Sequence, residues 1–158
     1  MIKASGKVDI SSKKCSDATE FLSWSKKDTL DYKKLFENHK KEIEFFDDFD
    51  KVIKQYLPKS GVSFRVFKNI ENYLINLPND PETGDPLIER SKAFDIVVNQ
   101  TIIQKIRGTE SQLNELICDD NAKLFELLDK YSDISKFEIV RGSLNNKAED
   151  LRNNGYTN

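Results

Sequence analysis

Residues 40–57 read KKEIEFFDDFDKVIKQYL, and their spacing decides the fold class. Phe45, Phe46, Phe49, Val52, Ile53, Tyr56 and Leu57 recur at offsets of three and four, which gathers them on one face of an α-helix. The residues between them are mostly Lys, Glu and Asp, as expected of a helix with one buried and one solvated side. Asp47 and Asp48, directly after two phenylalanines, could also be read as metal ligands at the end of an apolar strand. The helical offsets account for the phenylalanines better.

Working outward, the helical pattern starts near Asp28 and takes in Leu30, Leu35 and Phe36, and Pro58-Lys59-Ser60-Gly61 ends the seam. Ser63 can cap a following helix whose stripe is Val66, Ile70, Tyr73, Leu74 and Leu77, stopped by Pro78. Residues 78–87, PNDPETGDPL, hold three of the chain's four prolines and form a loop. A helix is expected from about Glu89 to Arg107, with Phe94, Val97, Val98, Ile102 and Ile106 apolar and Gly108 as its stop. Its β-branched residues would also suit a strand, but the length favours a helix. Two more helices follow, Glu110 to Ile117 and about Asn121 to Tyr131, the second with the Asp119-Asp120-Asn121 cluster as its cap. Phe137–Val140 fits either a helix or a short strand. Ser143 to Asn153 reads as a polar helix burying Leu144, Ala148 and Leu151, closed by Gly155.

Before the seam, residues 1–15 are polar, with Val8 and Ile10 alternating across Asp9, so that they read as one short strand or a loose arm. Ser16 looks like a helix start, and Phe21, Leu22 and Trp24 give that segment something to bury. The expected architecture is all-α in the main: a compact bundle of about six helices over residues 16–158, preceded by the polar arm 1–15. A chain of 158 residues buries roughly 68–70% of its unfolded surface and needs no disulfide or metal to hold it.

Composition narrows the function. Acids outnumber bases 27 to 25, which argues against a dedicated nucleic-acid binder, although Lys3, Lys7, Lys13 and Lys14 make the arm locally basic. No apolar run approaches the ~18 residues of a membrane span, and no signal-peptide core precedes the domain. Cys15 and Cys118 are too few for a disulfide framework or zinc site and fit reduced thiols in a cytoplasmic protein. His39, the one histidine, lies in a charged stretch and reads as a solvated helix residue.

The motifs of common chemistries are missing. G-x-x-x-x-G-K-[ST] does not occur, nor do HExxH and GxSxG. A calcium loop centred on Gly84 would place Asn79, Pro81, Thr83 and Arg90 at ligand positions, which fails. No catalytic residue and no metal ligand is therefore assigned, and the chain needs no cofactor by itself. Arg65 stands apart, because a cation in the first turn of a helix is opposed by the helix dipole. An anion docking from elsewhere would suit that position.

From about residue 60 onward the chain resembles the C-terminal end of the AAA+ ATPases related to McrB, the nucleotide-driven motor of methylcytosine-directed restriction. Three stretches carry the resemblance. Ser63-Phe64-Arg65-Val66 with Ile70, Tyr73 and Leu74 is similar to the family's aromatic-Arg-Val helix opening. Asp95-Ile96 and Gln100 through Gly108 resemble its Gln-Lys-Ile-Leu-Pro-Lys-Ile-x-Gly stretch, with Thr101 where the family tends to have Lys and Gln104 where it tends to have Pro. Ser143 through Lys147, Leu151 and Asn154-Gly155-Tyr156-Thr157-Asn158 are similar to its closing helix and Gly-aromatic-Thr end. The resemblance implies a non-catalytic helical lid. Arg65 would sense nucleotide phosphate, and Lys105 and Arg107 would make subunit or domain contacts. The implied partners are an upstream AAA+ nucleotide-binding domain carrying ATP or GTP with Mg, ring-forming subunits and a nuclease subunit, with DNA reached indirectly and no membrane. The rival expectations are a free-standing helical interaction adaptor and a small nucleic-acid-binding domain that uses the Lys-rich arm.

Overall fold

The computed structural model describes residues 31–119 and 121–157. The expectations for the arm 1–15 and the segment around Ser16 and Trp24 lie outside those residues. The described part is a mainly α fold, a compact bundle of about six helices. In chain order they are α1 (Tyr32–Asn38), α2 (Lys40–Tyr56), α3 (Phe64–Ile75), α4 (Arg90–Thr101), the single turn α5 (Glu110–Leu113), α6 (Lys123–Lys130) and α7 (Glu138–Asn154). Two two-residue strands, β1 (Gly108–Thr109) and β2 (Tyr156–Thr157), pair antiparallel.

The decisive seam lies on α2, where Phe45, Phe46, Phe49 and Ile53 are buried. Phe45 is the hub. Its ring has five aromatic neighbours with centroids 5.2 to 5.8 Å away: Phe46, Phe49, Phe94, Tyr131 and Phe137. Those neighbours come from α2 itself, from α4 and from the residues bounding α6 and α7, so one side chain ties the bundle together. Each ring pair adds about 0.5–1.5 kcal/mol beyond the area it buries. Asp48, on the same helix, accepts from Lys130 Nζ at 2.6 Å and Tyr131 Oη at 2.8 Å, which fastens α2 to the end of α6. These bonds hold its carboxyl well below the usual range, the Lys130 contact contributing most.

The loop 78–87 is pinned rather than open. Asp80 Oδ1 accepts from the Glu82 and Thr83 amides, Gly84 takes the left-handed conformation with φ +75°, and Asn79 bridges to Pro86.

α4 is buried on several sides, with Ala93, Phe94, Asp95, Val97 and Val98 all inside, and it packs against both α3 and α7. This wide buried face, which leaves only Lys92 and Gln100 fully exposed, explains why its β-branched run gives no clean stripe. The helix ends at Thr101, earlier than the expected Arg107, and passes into a 3-10 turn, Ile103–Lys105. The three-residue repeat of that turn puts Ile103 and Ile106 on one side, and both are buried. Gly108 accordingly opens β1 instead of stopping a helix.

Two other boundaries differ from expectation. Glu110–Ile117 is one α-turn with a Thr109/Gln112 capping box, followed by a wider π-type turn over Asn114–Cys118. Asp119 accepts from Asn114 Nδ2 and does not cap α6, whose cap position is held by Ala122, which has no side chain able to accept.

The last helix starts at Glu138, five residues before the expected Ser143, which resolves the Phe137–Val140 ambiguity in favour of a helix. Phe137 turns the chain with φ +53°, and Ser135 Oγ accepts from its amide at 3.2 Å. The carboxylate that caps α7 comes from another helix. Buried Asp95 of α4 accepts from the Ile139 amide at 2.9 Å and the Val140 amide at 3.0 Å. Two first-turn donors are thereby satisfied, and a negative charge faces the positive end of the helix. Gly155 closes α7 in the left-handed conformation, as expected.

Asp95→Ala should lower stability by about 2–3 kcal/mol, since the buried Val140 amide and the partly buried Ile139 amide lose a charged acceptor. Urea denaturation checks this, and a loss under about 0.5 kcal/mol would contradict the capping role.

Candidate functional site

Arg65 sits where the sequence places it, in the first turn of α3 behind the Ser63 cap, whose Oγ accepts from the Val66 amide at 3.3 Å. It is exposed and makes no hydrogen bond or ion pair among the described residues. Among the described residues no anion offsets the unfavourable dipole at that end. Beside it Phe64 is 66% exposed and stacks on Tyr32 with centroids 6.0 Å apart, while Phe36, one turn along α1 from Tyr32, is 58% exposed. An exposed aromatic surface thus adjoins an unpaired guanidinium.

Lys105 belongs to a cleft of about 260 Å³ between the end of α2, the loop before α3 and the turn after α4. Phe49, Ile53, Val66, Ile102 and Ile106 form its apolar lining, and Lys59, Ser60, Gly61, Thr101 and Lys105 complete it. The loop is fixed by Asp50. Its Oδ1 accepts from the Val62 amide at 2.9 Å, and its Oδ2 pairs with Lys54 Nζ at 2.6 Å. A Cβ on Gly61 would come within 2.4 Å of Asp50 Oδ1, so a larger residue would have to displace the carboxylate that holds the loop. Val66, the neighbour of Arg65, connects the cleft to the start of α3, whereas Arg65 itself does not line it.

Arg107 goes elsewhere. It is exposed and lies close enough to Lys147 of α7 to act on that ammonium, whose pKa is lowered first by burial and then by Arg107, against the opposing pull of Asp150. Of the three cations singled out in the sequence, Arg65 and Lys105 flank Val66, and Arg107 faces the closing helix.

Sequence reading missed a buried charge cluster. Arg90, at the start of α4, donates from Nε and Nη2 to the two oxygens of Glu42 at 2.9 and 2.7 Å, and from Nη2 to Glu71 Oε2 at 3.0 Å. Glu42 and Glu71 are buried, and Glu71 Oε1 has no partner. One guanidinium cannot neutralise two carboxylates. Burial first, then the negative charge of Glu42, pushes the Glu71 carboxyl up to about 7. The available signal was position: Glu42 continues the Phe45–Phe46–Phe49 stripe one turn earlier, and Glu71 lies beside Ile70 and three residues before Leu74. His39 is not a solvated helix residue. It is the half-buried joint between α1 and α2, with Nδ1 3.5 Å from Glu42, and burial lowers its pKa ahead of the effect of Arg90.

The cluster binds α2, α3 and α4 to one another, and His39, Glu42 and Arg90 also line an open hollow of about 360 Å³. Cys118 is half-buried, and burial raises its thiol pKa, the opposite of an activated nucleophile. Lys40 and Lys41 form exposed pairs with Glu44 and Asp133, the solvated face their surroundings suggest. Among the described residues no group of three or more His, Cys, Asp or Glu side chains could hold a metal, and no helix is long and apolar enough to cross a membrane.

Fold and surface together define a mainly α domain that presents cations and aromatic rings at one end of α3. The model of the family described as "Domain of unknown function (DUF8727)" matches residues 9–156, and the chain belongs to that family. No curated protein and no solved structure matches the chain.

A raised carboxyl pKa stabilises the fold at low pH. That contribution is full below the unfolded value near 4.5 and is lost as pH rises through about 7. Between pH 5.5 and 8.5 the native chain should therefore lose about 2 kcal/mol more than Glu71→Gln, measured by denaturant unfolding at both values. Parallel pH profiles for the two proteins would show that Glu71 is not the titrating group.

Proposed function

We propose that the chain is the helical lid of a McrB-like AAA+ nucleoside triphosphatase of a cytoplasmic restriction system, non-catalytic by itself and acting by position. Three things support the reading: the three resembling stretches in order, the mainly α bundle, and above all the state of Arg65. An exposed cation in a first helical turn, without a counter-charge among the described residues, is set to meet an anion from another domain. The chain has no Gly-rich phosphate loop. ATP or GTP with Mg would be held by the partner nucleotide-binding domain, which would also supply the hydrolytic chemistry. This chain's part would be to bring Arg65 to phosphate when the lid closes and withdraw it when phosphate leaves. Lys105 and Arg107, both exposed, would serve contacts with that domain or with neighbouring subunits of a ring. A nuclease subunit would be the further partner, and DNA would be reached only through the assembly.

The second reading, a free-standing helical interaction adaptor, draws on the exposed Tyr32, Phe36 and Phe64 rings. It leaves Arg65 without a task, which is why the lid reading is preferred.

The test uses the tagged chain recovered from its own cells with whatever accompanies it. A nucleotide-hydrolysing partner should be recovered, and Arg65→Ala should lower its ATP or GTP turnover by about tenfold or more with no loss of chain stability. Unchanged turnover would remove Arg65 from the mechanism. Recovery of no nucleotide-hydrolysing protein would overturn the lid reading.

A further inference from the structure

We propose that the cleft between the end of α2, the loop before α3 and the turn after α4 binds a small free molecule with an apolar body and a carboxylate head. This goes beyond the lid reading and does not rest on it. The cleft holds about 260 Å³, just under the ~300 Å³ at which ordinary small-molecule pockets begin, so its occupant is the size of a short acyl chain or a single substituted ring. Its lining is chemically divided. Phe49, Ile53, Ile102 and Ile106 are buried core side chains that still present surface to the cleft, and half-buried Val66 adds to it. Such a surface favours an apolar body.

Among the described residues, the remaining lining carries positive charge and no negative charge. Lys59 and Lys105 both line the cleft, both are exposed, and neither makes a hydrogen bond or ion pair among the described residues. Other lysines of the same region are occupied: Lys54 pairs with Asp50, and Lys51 with Asp48. Among the described residues no acidic side chain lines the cleft. Two ammonium groups that have no partner among the described residues, set beside an apolar hollow, select an anion and reject a cation of the same shape. A lysine also suits a lone carboxylate, which it meets as a point charge. The hydroxyl of Thr101 is already donated to the Val97 carbonyl, so recognition of the head falls to the two lysines, with the Ser60 hydroxyl as the other polar side chain of the lining.

The cleft is held in shape by the fold. Asp50 grips the loop through the Val62 amide and pairs with Lys54, and a larger residue at Gly61 would have to push that carboxylate aside. A hollow held this way is ready before its ligand arrives, which limits the ordering cost of binding.

The experiment is a titration of the full chain, followed through the methyl signals of Ile53, Val66, Ile102 and Ile106, with three probes of one chain length: octanoate, octanol and octylammonium. Octanoate should shift those methyls saturably and bind tightest, octanol more weakly, and octylammonium least. Lys59→Gln/Lys105→Gln should weaken octanoate by about five- to tenfold and leave octanol unchanged. Raising the salt concentration should likewise weaken octanoate alone. Val66→Phe, which fills the hollow, should abolish both. Absence of saturable binding would overturn the proposal, as would equal affinity for octanoate and octylammonium, or shifts centred on the Tyr32 and Phe64 surface. The Arg65 hydrolysis test is independent, so either proposal can fail without the other.

Discussion

Two charged residues on a buried helix organise this bundle. Arg90 and Asp95 lie five positions apart on α4, which has apolar neighbours on most of its sides. A buried charge is tolerated only when paired and hydrogen-bonded, and each of these finds its partners on different helices. Arg90 reaches Glu42 of α2 and Glu71 of α3, and Asp95 reaches the first-turn amides of α7. The Phe45 cluster supplies attraction without direction. The charges supply direction, because a misplaced α3 or α7 would leave an ion or two amides unpaired in the interior.

The surface features follow from that arrangement. Fixing α3 against α4 through Glu71 sets where its first turn ends up, and with it Arg65 and Phe64. Fixing α4 sets where Thr101, Ile102 and Lys105 meet the end of α2, and the Asp50 grip on the loop completes the cleft. The cluster has one carboxylate more than its guanidinium can neutralise. The cost falls on Glu71, whose second oxygen has no donor, and a proton relieves it.

How much of this could be read from the sequence depends on the range of the interaction responsible. The α2 seam, the Ser63 cap, the 78–87 loop and the Gly155 stop are local, set by residues within a few positions, and all were legible. The start of α7 was not: its capping group is Asp95, more than forty positions away, while Phe137 in a left-handed turn gives no sequence signal. The end of α4 was overrun because Ile102 and Ile106 continue a helical spacing that a 3-10 turn satisfies equally well. Asp119 was misassigned as a cap because its actual donor is the Asn114 side chain across the π-type turn. For the candidate site, Arg65 could be found from the conflict between a cation and its helix end. Lys59 could not, since nothing in Pro58-Lys59-Ser60-Gly61 reveals that it shares a hollow with Lys105.

Amide hydrogen exchange at Ile139 and Val140 tests the organising role of α4 most directly. First-turn amides lack intrahelical acceptors and ordinarily exchange quickly. If Asp95 holds them as described, both should be protected as strongly as the amides in the middle of α4, opening only when the whole bundle unfolds. Exchange at the rate of a frayed helix end would mean that α7 is seated by apolar packing alone, and the account of α4 as the frame of the fold would be wrong.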